Sequence, residues 1–451
     1  MDFLDEKAWE EIFEQAIKYL RDLIQLRTVN PPGNEKPAVE YLAEILAKEG
    51  IEPKIFEPAP ARANLVARLS GSGEKPPILI DGHLDVVPAE PESDWKYPPF
   101  SGELAEGYIW GRGALDMKQA VVANLMALLV IKRAGTKPMR DLIFTAVADE
   151  EAGGKYGAQW LVENQPDLIK AEYSLGEMGG FSMEISGKRF YPVEVAEKGV
   201  CWLRIRARGE SGHGSLPSKD SAVIKIARAI QTLGEKKLPY HLTPVVEHFV
   251  NKLSENLGGI QGKVLKLLLN SRWSNLVIDR LLPDPALRRT FWAMLHNTAN
   301  PTVVRAGEKT NVIPSEAICE VDGRILPGQS PEGLVEEVRK LIGKDYELEI
   351  INRLLPMAQD PNDPIIKIFE QNLKKYDPEA IVIPNLIPGF TNGSHYARLG
   401  IKYFGFTPVQ LPSGEKFAEL FHGVNERIPI EGYKFGLKVF LSTVWDLVHN
   451  F

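Results

Sequence analysis

The segment ILIDGHLDVV, residues 78–87, closes an apolar run with a histidine and an aspartate two residues apart, in a chain with only 8 histidines in 451 residues. A strand period of two places His83 and Asp85 on one side. In open α/β sheets such chain ends face the ligand crevice. A neutral imidazole there binds zinc through one ring nitrogen while a carboxylate fixes the other, which is the task open to Asp85. A structural histidine ion-paired to an aspartate accounts for the same two residues equally well.

Three more acidic positions share this setting. Asp116 in GRGALDMKQAVV stands between a glycine turn and a helix; helix capping is the commoner reason for such an acid, and bridging two metals through its two oxygens is the other. In ADEEAGG, Asp149, Glu150 and Glu151 follow an apolar strand and precede two glycines. Neighbouring side chains point apart, so Glu151 can face a metal while Glu150 lies over bound water, although such a run is more often a solvated loop. Glu177 in YSLGEMGG repeats the pattern, and His422 in ELFHGVNERIP is a late histidine among turn residues. Two histidines and three carboxylates suit two zinc ions, with cobalt or manganese as substitutes. No short spacing signature demands this.

The elements that must position these residues are readable from periodicity. Residues 5–27 carry apolar side chains at helical spacing, VNPPGNE stops that helix, and 36–48 form a second. ARANLVARL and PPILIDG read as strands, the stretch after GAL as a long helix, and RDLIFTAVADEE as another strand. This alternation predicts an α/β domain with a central mixed or mostly parallel sheet covered by helices. From residue 198 to 355 the pattern changes to a small layer of strands with two helices on one face, an inserted α+β domain of ferredoxin-like type. The catalytic domain is then 1–197 with 356–451, and residues 238–300 are an additional, partly helical region.

Composition excludes several classes. At 44% apolar and 25% charged residues the chain is globular rather than disordered. No run approaches the roughly 18 apolar residues of a membrane span, and the acidic first 20 residues do not suit a signal peptide; the cytoplasm is the expected compartment. Cys201 and Cys319 are the only cysteines, too few for a thiolate zinc site. The net charge of −7 and the scattered Lys and Arg argue against a nucleic-acid partner.

Together HLDVVP, WKYPPFSGELAEGYIWGRGALDMKQ, DEEAGGKYGA, GHGSLP, TNVIPSEAICEVDGRILPG and FHGVNERI resemble the dinuclear-zinc family of carboxypeptidase S, glutamate carboxypeptidase, succinyl-diaminopimelate desuccinylase and acetylornithine deacetylase, and most of all the carboxypeptidase S branch. The resemblance implies a zinc-peptidase-like catalytic domain and gives His83 and Glu177 to the first zinc, Asp116 to both, and Glu151 and His422 to the second. It also implies a cis peptide after Asp116, Glu150 as general base, and Asp85 behind the first histidine. His213 in SGHGSLP corresponds to a histidine that polarises the scissile carbonyl, commonly in the partner subunit. Asn311 and Arg324 match substrate-binding positions, Arg324 for a terminal carboxylate; a solvent-facing strand arginine is the alternative. Gly389, Asn392 and Gly393 lie in the family's glycine-rich substrate loop, with Asn392 where the branch usually has aspartate. His395 lines the pocket or packs, and His241, His248, His296 and His449 fit no motif.

The implied enzyme is a metallohydrolase that cleaves an amide bond in a small peptide with a free carboxylate, as a carboxypeptidase or dipeptidase, or alternatively in an N-acyl amino acid. An inactive metal-binding homologue is a remote third reading. The inserted domain would serve as lid and dimerisation surface of a homodimer.

Overall fold

The computed structural model describes residues 4–282 and 284–451. Its contacts divide into two units: residues 1–195, 359–384 and 391–451 form unit 1, while 196–358 and 385–390 form unit 2. The short segment 385–390 therefore clusters with unit 2, where the sequence pattern alone assigns all of 356–451 to the catalytic domain.

Unit 1 is built on a mixed sheet. Its strands run in the order Lys54–Ala59, Arg62–Leu69, Leu142–Val147, Ile78–His83, Tyr173–Gly176, Lys402–Gly405 and Lys188–Glu197. The central neighbours Leu142–Val147, Ile78–His83, Tyr173–Gly176 and Lys402–Gly405 pair in parallel, and the flanking strands pair antiparallel to them. Parallel strands are covered on both faces, which explains why LIFTAV and ILIDGH are buried at every position.

Helices supply that cover. Lys118–Ala134 is buried from Lys118 through Ile131 and packs on the strands Ile78–His83 and Leu142–Val147. It also contacts Glu6–Gln25 and Ile430–His449, so the first, middle and last long helices share one layer. Close packing requires Gly82: a Cβ there would meet Val121 at 2.8 Å. Glu6–Gln25 starts at Asp5, whose carboxylate accepts the Ala8 amide at 2.8 Å, and buries Trp9, Ile12, Phe13, Ala16, Leu20, Leu23 and Ile24.

A three-stranded sheet joins distant parts of unit 1. Arg427–Pro429 pairs with Tyr108–Trp110, which pairs with Glu103–Ala105. It brings the chain just after residue 422 beside the chain just before residue 116.

In unit 2, Thr298–Ala306, Glu316–Ile325, Gly199–Arg208 and Tyr346–Leu354 form an antiparallel sheet in that order. With helices Ala222–Glu235 and Pro331–Ile342 the connectivity is strand, helix, strand, strand, helix, strand, the ferredoxin-like arrangement. Alternation sends Cys201, Leu203, Ile205 and Ala207 into the core and turns Arg204, Arg206 and Arg208 to the other face, where they pair with Glu320, Glu316 and Glu347. Both cysteines are free and buried, and burial pushes each thiol up to about 11. Residues 238–300 are more regular than the sequence suggested, with helices Pro244–Leu257, Gly259–Lys266 and Pro285–Leu295 around short irregular turns.

No helix among the described residues is long and apolar enough to cross a membrane.

The sheet centre should dominate the stability of unit 1. Phe144→Ala, in a fully buried central strand, is expected to cost about 3–5 kcal/mol. Ile55→Ala, on the sheet edge at 47% exposure, should stay near 1 kcal/mol or below. Denaturant unfolding of both variants checks the order; equal losses would contradict it.

Candidate metal centre

Four of the expected side chains leave the same end of adjacent parallel strands. His83 is the last residue of Ile78–His83, Glu150 and Glu151 follow Leu142–Val147, and Glu177 follows Tyr173–Gly176. All belong to unit 1, as do Asp116 and His422.

His83 is fully buried. Its Nδ1 lies 2.9 Å from the Asp85 carbonyl oxygen, which only accepts, so Nδ1 carries the proton. Nε2 then faces acids on three sides: Asp116 Oδ1 at 3.1 Å, Glu177 Oε2 at 3.5 Å and Glu150 Oε2 at 3.9 Å. Asp116 turns its other oxygen to His422 Nε2 at 3.1 Å, and Glu151 lies 3.2 Å from the same nitrogen. One carboxylate thus spans two imidazoles. Capping does not explain Asp116, because the N-cap position of Lys118–Ala134 is Met117 and makes no side-chain cap bond. The Asp116–Met117 peptide is cis.

Asp85 holds more than the imidazole. Its carboxylate is 3.6 Å from His83 Nδ1 and accepts the amides of Glu150 and Glu151 at 3.1 Å each, with Asn30 Nδ2 at 2.8 Å. The backbone turns sharply at Asp149, at φ 69°. The Asp149 carboxylate is fixed by Arg62 Nη2 at 2.9 Å, Asn30 Nδ2 at 3.2 Å and the Tyr156 amide at 3.1 Å. Arg62 is itself paired with buried Glu35. Glu150 and Glu151 are therefore presented by a turn tied down from both sides.

Electrostatics show what the cluster lacks. Burial, then the charge of Glu177, pushes the Glu150 carboxyl well above its usual range. Burial also pushes Glu177 up to about 7 and raises Glu151. Asp116 goes the other way, because hydrogen bonds from His422 and His83 outweigh its burial. Hydrogen bonds to Asp116 and Glu151 push His422 up to about 10. For His83, burial opposes the charge, but Glu177, Asp116 and Asp85 together prevail and raise it. A buried set of acids that keeps its histidines protonated is one into which divalent cations fit. Two groups have ligand atoms close enough to hold an ion, His83 with Asp116 and Glu151, and His83 with Glu150 and Glu177. The second includes Glu150, the residue expected to be a base.

The remaining expected residues divide between the two units. Asn392 is buried in unit 1 with its Nδ2 donating to Asp81 Oδ2 at 2.9 Å, and its Oδ1 has no partner. A Cβ on Gly393 would strike the Tyr403 ring. His395 is buried and reaches the Gly153 carbonyl at 3.1 Å. His213, Asn311, Arg324 and Gly389 belong to unit 2. His213 is exposed on a two-residue strand opposite Val312, with Nδ1 2.7 Å from Ser215 Oγ; the Asn311 carbonyl accepts the Gly214 amide. Arg324 donates to Asp322 at 2.7 Å and lies 5.6 Å over the Phe390 ring, leaving Nη1 without a partner. Of the other histidines, His296 is buried on the Leu238 carbonyl, His241 pairs with Glu337 and His449 contacts Thr136.

Asn30, Arg62, Arg112 and Glu426 escaped sequence reasoning. Asn30, Arg112 and Glu426 lie in loops and Arg62 begins the second strand of the sheet, each with partners far along the chain, and only the acid Glu426 after the His422 turn offered any cue.

Comparison with known proteins identifies the family. The pattern of Peptidase family M20/M25/M40 matches residues 79–446. The chain is 28% identical over 449 residues to the N-fatty-acyl-amino acid synthase/hydrolase PM20D1 of Xenopus tropicalis, covering 96% of this chain and 85% of the relative. It is 29% identical to the probable carboxypeptidase S-like 2 of Dictyostelium discoideum, over 83% and 72% of the two chains. Among solved structures, the M20 family metallo-carboxypeptidase Sso-CP2 of Sulfolobus solfataricus matches with a TM-score of 0.71 at 20% identity, over 98% of this chain and 99% of that one.

Cation binding should release protons. At pH 7 His422, held up at about 10, carries a proton that a cation must displace, and Glu177 at about 7 is partly protonated. Affinity should therefore rise as pH is raised through neutrality toward 10. Calorimetric titration in buffers of different ionisation enthalpy will detect the release; heats independent of buffer would contradict the assignment.

Proposed function

Because the chain belongs to Peptidase family M20/M25/M40, we propose that it is a two-metal hydrolase whose preferred substrate is an N-acyl amino acid with a free carboxylate. At the coarser level it is a metal-dependent hydrolase of amide bonds in small peptides or acyl-amino acids. Sequence motifs alone put peptides first. The similarity that spans 96% of this chain is to an enzyme named for N-fatty-acyl amino acids, and this observation carries the acyl reading. The likeness to carboxypeptidases, 29% identity to one and a shared fold with another, keeps short peptides as the second reading.

In the proposed centre His83 and Glu177 would hold one cation, His422 and Glu151 would hold the other, and Asp116 would serve both. Zinc fits best, since imidazole and carboxylate are its usual ligands when cysteine is absent, and cobalt or manganese accept the same set. Bound cations supply Lewis acidity, polarising a carbonyl and making a water acidic enough to lose its proton near neutral pH. Glu150 accepts that proton on its carboxylate and returns it to the departing amine. Asp85, through the Glu150 and Glu151 amides, fixes where that carboxylate stands. His213 donates to the carbonyl oxygen as charge develops there. Arg324 would offer its unpartnered Nη1 to the substrate carboxylate, and Gly389, Asn392, Gly393 and Asn311 are the other substrate contacts we propose. In this scheme unit 2 acts as lid and as the contact surface of a homodimer.

Glu150→Gln should retain both cations by elemental analysis and lose about 10²–10⁴-fold in kcat; a metal-loaded variant with normal turnover removes Glu150 as base. Arg324→Gln should raise KM for carboxylate substrates by roughly 10- to 100-fold, the loss of a charged hydrogen bond. Substrate class is read from amine release on N-acyl amino acids of increasing chain length beside dipeptides. Higher kcat/KM on dipeptides would return the peptide reading to first place. Mixing His213→Ala with Glu150→Gln chains tests the dimer: regained activity indicates action across subunits, and none places His213 within its own chain's site.

A further inference from the structure

The loop that carries His422 has no strand of the main sheet to hold it. Its backbone is left-handed at His422, with φ 57°, and the side chain is 44% exposed, whereas His83 is fully buried on a strand end. Something else must keep His422 opposite Asp116.

A buried ion pair lies where the two loops meet. Arg112 and Glu426 are 3% and 0% exposed, with Nη1 and Oε2 2.7 Å apart. Glu426 Oε1 accepts two amides, Leu115 at 2.7 Å and Asp116 at 3.1 Å. Arg112 Nη2 reaches the Pro88 carbonyl at 3.2 Å and the His422 carbonyl at 3.4 Å. The Gly111 amide donates to the Glu426 carbonyl at 3.0 Å, and Trp95 lies 5.2 Å beneath the guanidinium. Two side chains thus hold the segment after His83, the segment ending in Asp116 and the His422 loop.

A buried ion pair is weak evidence for stability, since apolar residues of similar size often replace one without loss. Its hydrogen bonds, however, are directional, and here they end on the backbone of Asp116 and His422. We infer that Arg112 and Glu426 are positioning residues for the second cation, setting the spacing between Asp116 and His422. The inference rests on the two-cation reading. His83 and Glu177, held by the strands Ile78–His83 and Tyr173–Gly176, do not depend on the pair in this way.

The test compares wild type with the double variant Arg112→Met, Glu426→Leu and with Glu426→Gln, each stripped of metal and titrated with cobalt(II) followed by absorbance and elemental stoichiometry. Wild type should bind two equivalents. The double variant should remain folded by circular dichroism, with the second equivalent weakened at least tenfold more than the first. Glu426→Gln, which keeps an acceptor oxygen for the Leu115 and Asp116 amides, should restore most of the second affinity. Two equivalents bound by the double variant with wild-type affinities overturns the inference and leaves the two-cation reading standing. Fewer than two equivalents in wild type overturns both. If the first and second equivalents weaken equally, or neither variant folds, the pair is a general structural element and the inference falls.

Discussion

Packing acids together out of water is expensive unless positive charge joins them. Asp85, Asp116, Glu150 and Glu177 are each no more than 7% exposed, and they crowd two imidazoles at one end of the parallel strands. The rest of unit 1 follows from tolerating that arrangement. The buried sheet gives the acids rigid anchors, and the helix Lys118–Ala134 closes the layer behind them.

Around the centre, backbone amides and carbonyls matter as much as side chains. Asp85 grips the amides of Glu150 and Glu151, Glu426 grips those of Leu115 and Asp116, and the Asp85 carbonyl fixes the His83 tautomer. Glu150, Glu151, Asp116 and His83 are thereby oriented through the main chain, which has fewer freedoms than a side chain held by another side chain. The network Arg62, Glu35, Asp149 and Asn30 extends this to the sharp turn before the two glutamates.

The alternation of strands and helices was legible because apolar periodicity reports burial directly, and so was the ferredoxin-like order of unit 2. His83, Glu151 and Glu177 were legible as candidates because each lies at or just beyond the end of a buried strand, although residue type alone left a structural histidine and a solvated loop open. For Asp116 the sequence left cap and bridge open, and the structure gives it no capping bond while setting its carboxylate between His83 and His422. Asn30 was invisible, since its partners Asp85 and Asp149 are 55 and 119 residues away. Glu426 stood near the His422 turn, but its partner Arg112 is 314 residues away. The helices within 238–300 were only partly legible because Gly258 ends one and caps the start of the next, interrupting the period. The grouping of 385–390 with unit 2 depends on contacts such as the Lys198 amide on the Ile387 carbonyl, which no local pattern announces.

That grouping bears on how such a protein can change over time. The chain passes between the two units at 195–196, 358–359, 384–385 and 390–391, four crossings in all. Transplanting unit 2 by cutting only at its first two borders would carry Arg324 to a new host but abandon Phe390, the ring under its guanidinium. Recombination at simple boundaries therefore separates parts that belong together, and new specificities in this architecture are more accessible by point substitution than by shuffling whole modules.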